Sequence, residues 1–336
     1  MGASGEGKAI SFEVLKIDCE EVTKQIEASI KKIVLKDFRK RGAVLGISGG
    51  IDSSVVATLC VRALGAKRVH LLLMPEGESA SSDESTNLGR LLADSLDIEP
   101  QLEDITATLE GTGCYARRDQ AIRSAIPDYG PGWKSKIVLP SVVDSDRFRI
   151  FSVVAQSPEG EEITARLRPE GYLGVVAATN FKQRTRKMME YYHADRLNFA
   201  VAGTPNLLEY DQGFFVKGGD GLADFKPIAH LYKSQVYQLA DYMGVPKEIC
   251  SRPPTTDTYS LPQSQEEFYF SLPYDRMDLC LWARNHGVEA AEVGKALDLS
   301  EEQVERVYRD IDSKRRMAAY LHSQPLFSGK LDGELG

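Results

Sequence analysis

Cysteine is scarce in this chain and follows no pattern. Cys19, Cys60, Cys114, Cys250 and Cys280 are odd in number, scattered, and include no Cys-x-x-Cys pair. That argues against a disulfide framework and a zinc ribbon, and favours a reducing compartment. Long apolar runs are missing as well: none approaches the roughly 18 residues of a membrane span. The first residues contain no signal-peptide core, and Met1-Gly2-Ala3-Ser4-Gly5-Glu6 has Glu where a myristoylation signal requires Ser or Thr. The expectation is a cytoplasmic protein with no membrane partner. An excess of positive charge is also absent. Across 336 residues, 41 Lys and Arg stand against 49 Asp and Glu, a net −8 at pH 7, which disfavours nucleic acid as a partner. With 42% hydrophobic and 27% charged residues, the balance is that of an ordinary globular protein.

What is present is the run Val44-Leu45-Gly46-Ile47-Ser48-Gly49-Gly50-Ile51-Asp52-Ser53-Ser54, with Val55, Val56, Leu59, Cys60, Leu64 and Gly65 after it. The pattern predicts a buried strand over 43–47, a tight turn, and a helix over 53–64. Such a turn offers free N–H groups and a positive dipole end to a phosphate. Glycine lets the backbone approach the anion, and Asp52 is placed to hold Mg²⁺ beside it. No Lys follows, so this is not a Walker loop. The segment Gly2-Ala3-Ser4-Gly5-Glu6-Gly7-Lys8-Ala9 comes nearer to that pattern but lacks the last hydroxyl and a preceding strand; it reads as a flexible terminus. The string Ser48-Gly49-Gly50-Ile51-Asp52-Ser53 resembles the pyrophosphate loop of the N-type ATP pyrophosphatases. Those enzymes cleave ATP between the α and β phosphates and adenylate a carboxylate or carbonyl oxygen.

The rest of the chain supplies the setting. Asp18 and Glu21 have capping-box spacing before an apolar period over 18–40. Strand 68–74 and helix 83–95 follow, and the alternation predicts a doubly wound, mainly parallel α/β sheet with helices on both faces. From about 115 to 172 the rhythm changes. Candidate strands at 136–139, 148–156 and 162–168, with a turn at Ser157-Pro158-Glu159-Gly160-Glu161, read as a small antiparallel insertion. Helix 180–194, strand 197–203 and helix 233–243 resume the first rhythm. Segment 265–325 is expected to be helical, with Ser300 and Gln303 spaced as a capping box before 301–320, and residues from 328 to be loose. Residues 1–336 thus read as one ATP-pyrophosphatase-type domain carrying an insertion.

Three further blocks bear chemistry: Gly203-Thr204-Pro205-Asn206-Leu207-Leu208-Glu209 after a strand, the Lys- and Asp-bearing glycine loop over 213–224, and Leu231-Tyr232-Lys233. Each alone is weak, since polar glycine loops and single lysines are common on surfaces. Their order resembles the ammonia-dependent NAD synthetase family. Asn180-Phe181-Lys182-Gln183-Arg184-Thr185-Arg186 looks like that family's Asn-x-x-x-Arg-x-Arg helix, and Arg252-Pro253-Pro254-Thr255-Thr256-Asp257 like its Pro-Thr-x-Asp loop. Gln263-Ser264-Gln265-Glu266-Glu267 with Tyr274-Asp275 looks like its acidic segment, and Ser313-Lys314-Arg315 is a trace of its C-terminal His-Lys without the His. The insertion at 115–172 is longer than that family usually carries.

The resemblance implies roles at the matching positions. Gly46, Ile47, Ser48, Gly49, Gly50, Ile51, Asp52 and Ser53 would cradle the ATP phosphates, and Thr204, Lys233 and Thr255 would contact ATP. Asp52 and Glu209 would bind Mg²⁺. Arg184, Lys217, Asp220, Asp224 and Lys314 would hold the acceptor. The implied reaction is adenylation of deamido-NAD and transfer of ammonia to give NAD, AMP and pyrophosphate, in a homodimer. Cations facing departing pyrophosphate suit that chemistry, and no protein nucleophile is needed. Two alternatives stay open: a related ligase for another carboxylate, such as nicotinate mononucleotide or a specialised metabolite, and a nucleotide-binding protein without turnover. No glutamine-hydrolysing domain is visible, so ammonia would arrive free or from a separate glutaminase.

Overall fold

The structure is a computed structural model, described over residues 10–79, 82–138, 151–255, 258–264, 269–270 and 272–329. The first part alternates: α1 (Cys19–Lys31), β1 (Ala43–Gly46), α2 (Ile51–Leu64), β2 (Val69–Leu73), α3 (Ser82–Ser95) and β3 (Gln101–Leu102). The short helices α4 (Thr106–Gly111) and α5 (Cys114–Arg123) follow, then β4 (Lys134–Val138), β5 (Ser152–Gln156) and β6 (Glu162–Arg166). The remainder is α6 (Pro169–Leu197), β7 (Ala200–Val201), α7 (Leu207–Gln212), α8 (Lys233–Met243), α9 (Lys247–Ser251), α10 (Tyr274–Asn285), α11 (Ala290–Leu297) and α12 (Glu301–His322).

Among the described residues, four strands form a parallel sheet in the order β3-β2-β1-β7. Side chains alternate across it. Ala43, Leu45, Leu71 and Leu73 enter one core with residues of α1, α2 and α8. Val44, Leu72 and Val201 enter the other with Leu109, Cys114 and Ala194. Both faces are covered, which is why β1 is apolar throughout and β2 is interrupted only by His70, rather than alternating. The chain leaves β1 toward β2 and β3, and later returns to β7 on the opposite side of β1. Strand order therefore reverses beside the carboxyl end of β1, where open α/β sheets form their ligand crevice.

The second sheet, β4-β5-β6, is antiparallel and has its own core of Ile122, Ile126, Tyr129, Ile137, Val153, Leu167 and Val175. Helices α10, α11 and α12 bury a third core that includes Met277, Leu281, Val293, Val304 and Ile311. No helix among the described residues is long and apolar enough to cross a membrane.

Several elements differ from the sequence expectation, each for a physical reason. The first helix is α-helical to Lys31 and then winds as a π-helix over Lys32–Asp37. Strand 197–203 pairs regularly only at Ala200–Val201, because Asn198 adopts a left-handed conformation that closes α6. The helix expected over 180–194 begins at Pro169 and runs 29 residues. Gly171 and Gly174 disfavour a helix on propensity alone. In the fold they make room for α5: a Cβ on Gly174 would lie 2.9 Å from that of Ala121, and one on Gly171 2.8 Å from Ser124 Oγ. Helices α4, α5 and α7 are absent from the sequence expectation. The Gly2–Ala9 segment, residues 139 and 148–150 of two expected strands, and residues from 330 lie outside the described residues.

Candidate active site

The glycine loop occupies the crevice. Gly50 caps α2, and Ser53 and Ser54 return their hydroxyls to its carbonyl at 3.0 and 2.9 Å. Ser48 N–H donates to Ser53 Oγ at 3.3 Å, so the loop closes on the first helical turn. Gly49 sits at φ +69°, and a Cβ there would meet the Ser85 carbonyl of α3 at 2.6 Å; only glycine fits without displacement. Gly46 is equally confined, with Met74 Cε at 2.6 Å and Glu190 Oε1 at 3.0 Å from a Cβ position. The amino end of α2, which includes Ile51 and Asp52, thus opens at the carboxyl edge of the sheet.

Asp52 meets two groups from distant parts of the chain. The Lys233 ammonium, from the first residue of α8, forms a short ion pair with Asp52 Oδ2. Asn206 Nδ2 donates to Asp52 Oδ1 at 3.0 Å. Asn206 also caps α7: its Oδ1 accepts Glu209 N–H at 3.1 Å while Glu209 Oε2 accepts Asn206 N–H at 3.2 Å. One amide side chain therefore positions both carboxylates. Lys233 is buried; burial opposes its charge, but Asp52 and Glu209 together hold its pKa above the ordinary value. Its own N–H and that of Ser234 donate to Asp278 of α10, at 3.3 and 2.6 Å. Burial pushes that carboxyl up to about 7.

Two carboxylates share one ammonium here, so the site is short of positive charge. Glu209 registers this: burial first, then the charge of Asp52, raise its pKa to about 8. An all-oxygen pair suits Mg²⁺, which takes one or two carboxylates and shares its other positions with phosphates and water. Among the described residues there is no cluster of three or more His, Cys, Asp or Glu that could hold a metal ion. The raised carboxyl has a measurable consequence. An unfolded Glu titrates near 4.5 and the folded one near 8, so the folded state binds the extra proton between these values and loses stability as pH rises through that window. Glu209→Gln keeps the capping acceptor and removes the titration. The variant is expected to match the parent near pH 4.5 and to exceed it at pH 8 by on the order of 1–2 kcal/mol, roughly 1.5–3 °C in Tm. Thermal unfolding across pH checks this; a gap that does not widen with pH contradicts it.

The other expected site residues fall in separate groups. Thr204 follows β7 at the same sheet edge. Thr255 pairs with Ser264 in an isolated antiparallel bridge. Arg184, exposed on α6, donates to the Lys217 carbonyl at 3.3 Å, and the Lys217 ammonium reaches the Tyr320 carbonyl and Ser323 Oγ at 2.7 and 2.9 Å. Asp220 accepts Val216 N–H within its turn at 2.7 Å, and its charge is among those that act on Glu209. Asp224 accepts Val201 N–H and the Tyr191 hydroxyl at 2.7 and 3.1 Å. Lys314 is placed differently. It is 2% exposed, pairs with Asp310 at 2.8 Å, and donates to the Tyr269 carbonyl at 2.6 Å. Thr256, Asp257 and Gln265 to Glu267 lie outside the described residues.

Two positioning residues were missed in the sequence. Asn206 had a signal, since Asn206-Leu207-Leu208-Glu209 has capping-box spacing. Asp278 had none, because its partners lie 45 and 44 positions away.

Known proteins share the sequence and the fold of this chain. The sequence profile described as NAD synthase matches residues 22–123 and 155–318. The NH(3)-dependent NAD(+) synthetase of Rhizobium meliloti is 60% identical over 94% of this chain and 93% of its own length. That of Mesorhizobium japonicum is 57% identical over 94% and 98%. An NMN synthetase structure from Francisella tularensis shares the fold, with TM-score 0.64 at 20% identity over 94% of this chain and 100% of that one. With a profile covering most of its length and relatives this similar, the chain belongs to the NAD synthase family of ATP-dependent ligases.

Proposed function

We propose that this chain is an NH₃-dependent NAD⁺ synthetase acting on deamido-NAD with Mg-ATP. The nicotinate carboxylate attacks the α-phosphorus, the bond to the β-phosphate oxygen breaks, and pyrophosphate leaves. Ammonia then attacks the acyl carbon and gives up a proton, and AMP departs as the amide forms. The observation that carries this reading is the meeting of Asp52, Lys233 and the Asn206–Glu209 cap beside the glycine loop at the point where strand order reverses. In it, the loop from Gly46 to Ser53 cradles the phosphates, Thr204 and Thr255 contact ATP, and Lys233 stabilises charge on the departing pyrophosphate. Mg²⁺ held by Asp52 and Glu209 would neutralise phosphate charge. Arg184, Lys217, Asp220 and Asp224 form the acceptor side. Lys314, with its ammonium committed to Asp310 and Tyr269, acts there only through packing. A homodimer belongs to the reading, supported by Met188 and Tyr192, exposed one turn apart on α6.

The test is turnover of the purified chain with Mg-ATP, ammonium and either deamido-NAD or nicotinate mononucleotide. Pyrophosphate and NAD are expected in equal amounts from deamido-NAD, with glutamine unable to replace ammonium. Turnover of the mononucleotide alone would make the chain a related ligase, and no pyrophosphate with either acid would contradict the reading. Sedimentation at assay concentration checks the dimer.

A further inference from the structure

The antiparallel sheet does not cover its own outer edge. β4 is an edge strand, and an exposed row of N–H and C=O groups demands a partner. That partner comes from the loop that follows Thr255. Ser135 N–H donates to Ser260 Oγ at 2.8 Å, and Leu261 N–H donates to the Ser135 carbonyl at 3.2 Å. Two residues on, where the backbone again faces outward, the Ile137 carbonyl accepts from Gln263 Nε2. Lys136 reaches the Pro262 carbonyl at 3.3 Å. Tyr259 lies in the core of the small sheet with Ile137 and Val153.

The same loop is tied to the main domain. The buried ammonium of Lys182 on α6 donates to the Thr258 carbonyl at 2.9 Å. Ser264, next to Gln263, bridges back to Thr255. Before the loop, Arg252 donates to Ser85 Oγ at 3.1 Å, on the helix that confines Gly49. This sheet gives its edge and part of its core to a loop tied through Arg252 to α3 and through Ser264 to Thr255.

We propose that the antiparallel sheet is a clamp that holds Thr255 in place for the nucleotide, with Ser260 and Gln263 as its positioning residues. The proposal rests on the reading that Thr255 contacts ATP. A loop ordered before binding spares the nucleotide the entropy of ordering it, so the clamp acts on ATP affinity rather than on the chemical step. Arg184, Lys217 and Asp224 belong to other segments, so acceptor affinity is independent of it.

The experiment compares the full-length parent, Ser260→Ala, Ser260→Ala/Gln263→Leu and Thr255→Ala. Amide exchange over 258–264 is followed without nucleotide and with Mg-ATP, and KM is measured for ATP and for deamido-NAD. In the double variant, exchange over 258–264 is expected to accelerate without nucleotide and to slow again with saturating Mg-ATP. Its KM for ATP should rise roughly tenfold, with kcat and the acceptor KM within about twofold. Ser260→Ala should show a smaller change in the same direction and serves if the double variant does not fold. Faster exchange with an unchanged ATP KM, while Thr255→Ala weakens ATP binding, overturns the clamp and leaves the function standing. An ATP KM unmoved by Thr255→Ala removes Thr255 from the nucleotide site, and the clamp with it.

Discussion

Asp52→Asn is expected to lower kcat by roughly a thousandfold while the protein stays folded. The substitution is isosteric, and an amide oxygen at position 52 still accepts from Asn206 Nδ2. What disappears is one of two negative charges beside Lys233. The ammonium keeps Glu209, so the stability loss should be about 1–3 kcal/mol, below the roughly 3–5 kcal/mol typical when a buried charge loses its only partner. Glu209 should respond in turn: the charge of Asp52 is the second cause of its raised pKa, so its titration should move down in the variant. Pyrophosphate release with deamido-NAD, urea unfolding, and the pH dependence of stability measure the three effects. Full activity in Asp52→Asn would remove Asp52 from the catalytic assignment.

Lys182→Met is expected to destabilise the protein by about 3–5 kcal/mol. Lys182 and Glu76 are both 1% exposed and pair at 2.6 Å. Glu76 Oε2 also accepts the Tyr115 hydroxyl at 2.7 Å. Burial works against the charge on Glu76, but the Lys182 ammonium and the Tyr115 hydroxyl hold its pKa below the ordinary value. Methionine matches the lysine stem and supplies no charge, leaving an enclosed carboxylate without its ion-pair partner. Lys182→Met/Glu76→Gln removes both charges and keeps an acceptor for Tyr115, so most of the loss should return. Urea unfolding of the two variants gives the comparison. A double variant no more stable than the single one would mean that Lys182 stabilises mainly through packing and the Thr258 carbonyl.

The elements that the sequence announced are those whose cause is local. Strand β1, the turn at Ser48 to Gly50 and helix α2 are written in one contiguous run, because burial, a positive φ and a capped helix are each decided within a few residues. The caps at Asp18 and Ser300 were legible for the same reason. The start of α6 was not: a helix opening through Gly171 and Gly174 is favoured by the α5 surface laid against it. The roles of Lys217 and Lys314 were equally hidden. A lysine reads the same in sequence whether its ammonium ends on the carbonyls of α12, as in Lys217, or sealed against Asp310, as in Lys314.

By itself, the sequence determined the parallel α/β class, the phosphate-type turn and the order of blocks that resembles the NAD synthetase family, since periodicity, glycine placement and motif order are properties of neighbours along the chain. Only the tertiary structure brought Lys233 onto Asp52 across 181 positions, set Asn206 between the two carboxylates, and laid the 258–263 segment along the edge of β4. The physical reason is common to all three. Charge pairing, desolvation and edge-strand coverage depend on distance through space, and distance through space is settled when the cores close, after every local preference has been spent.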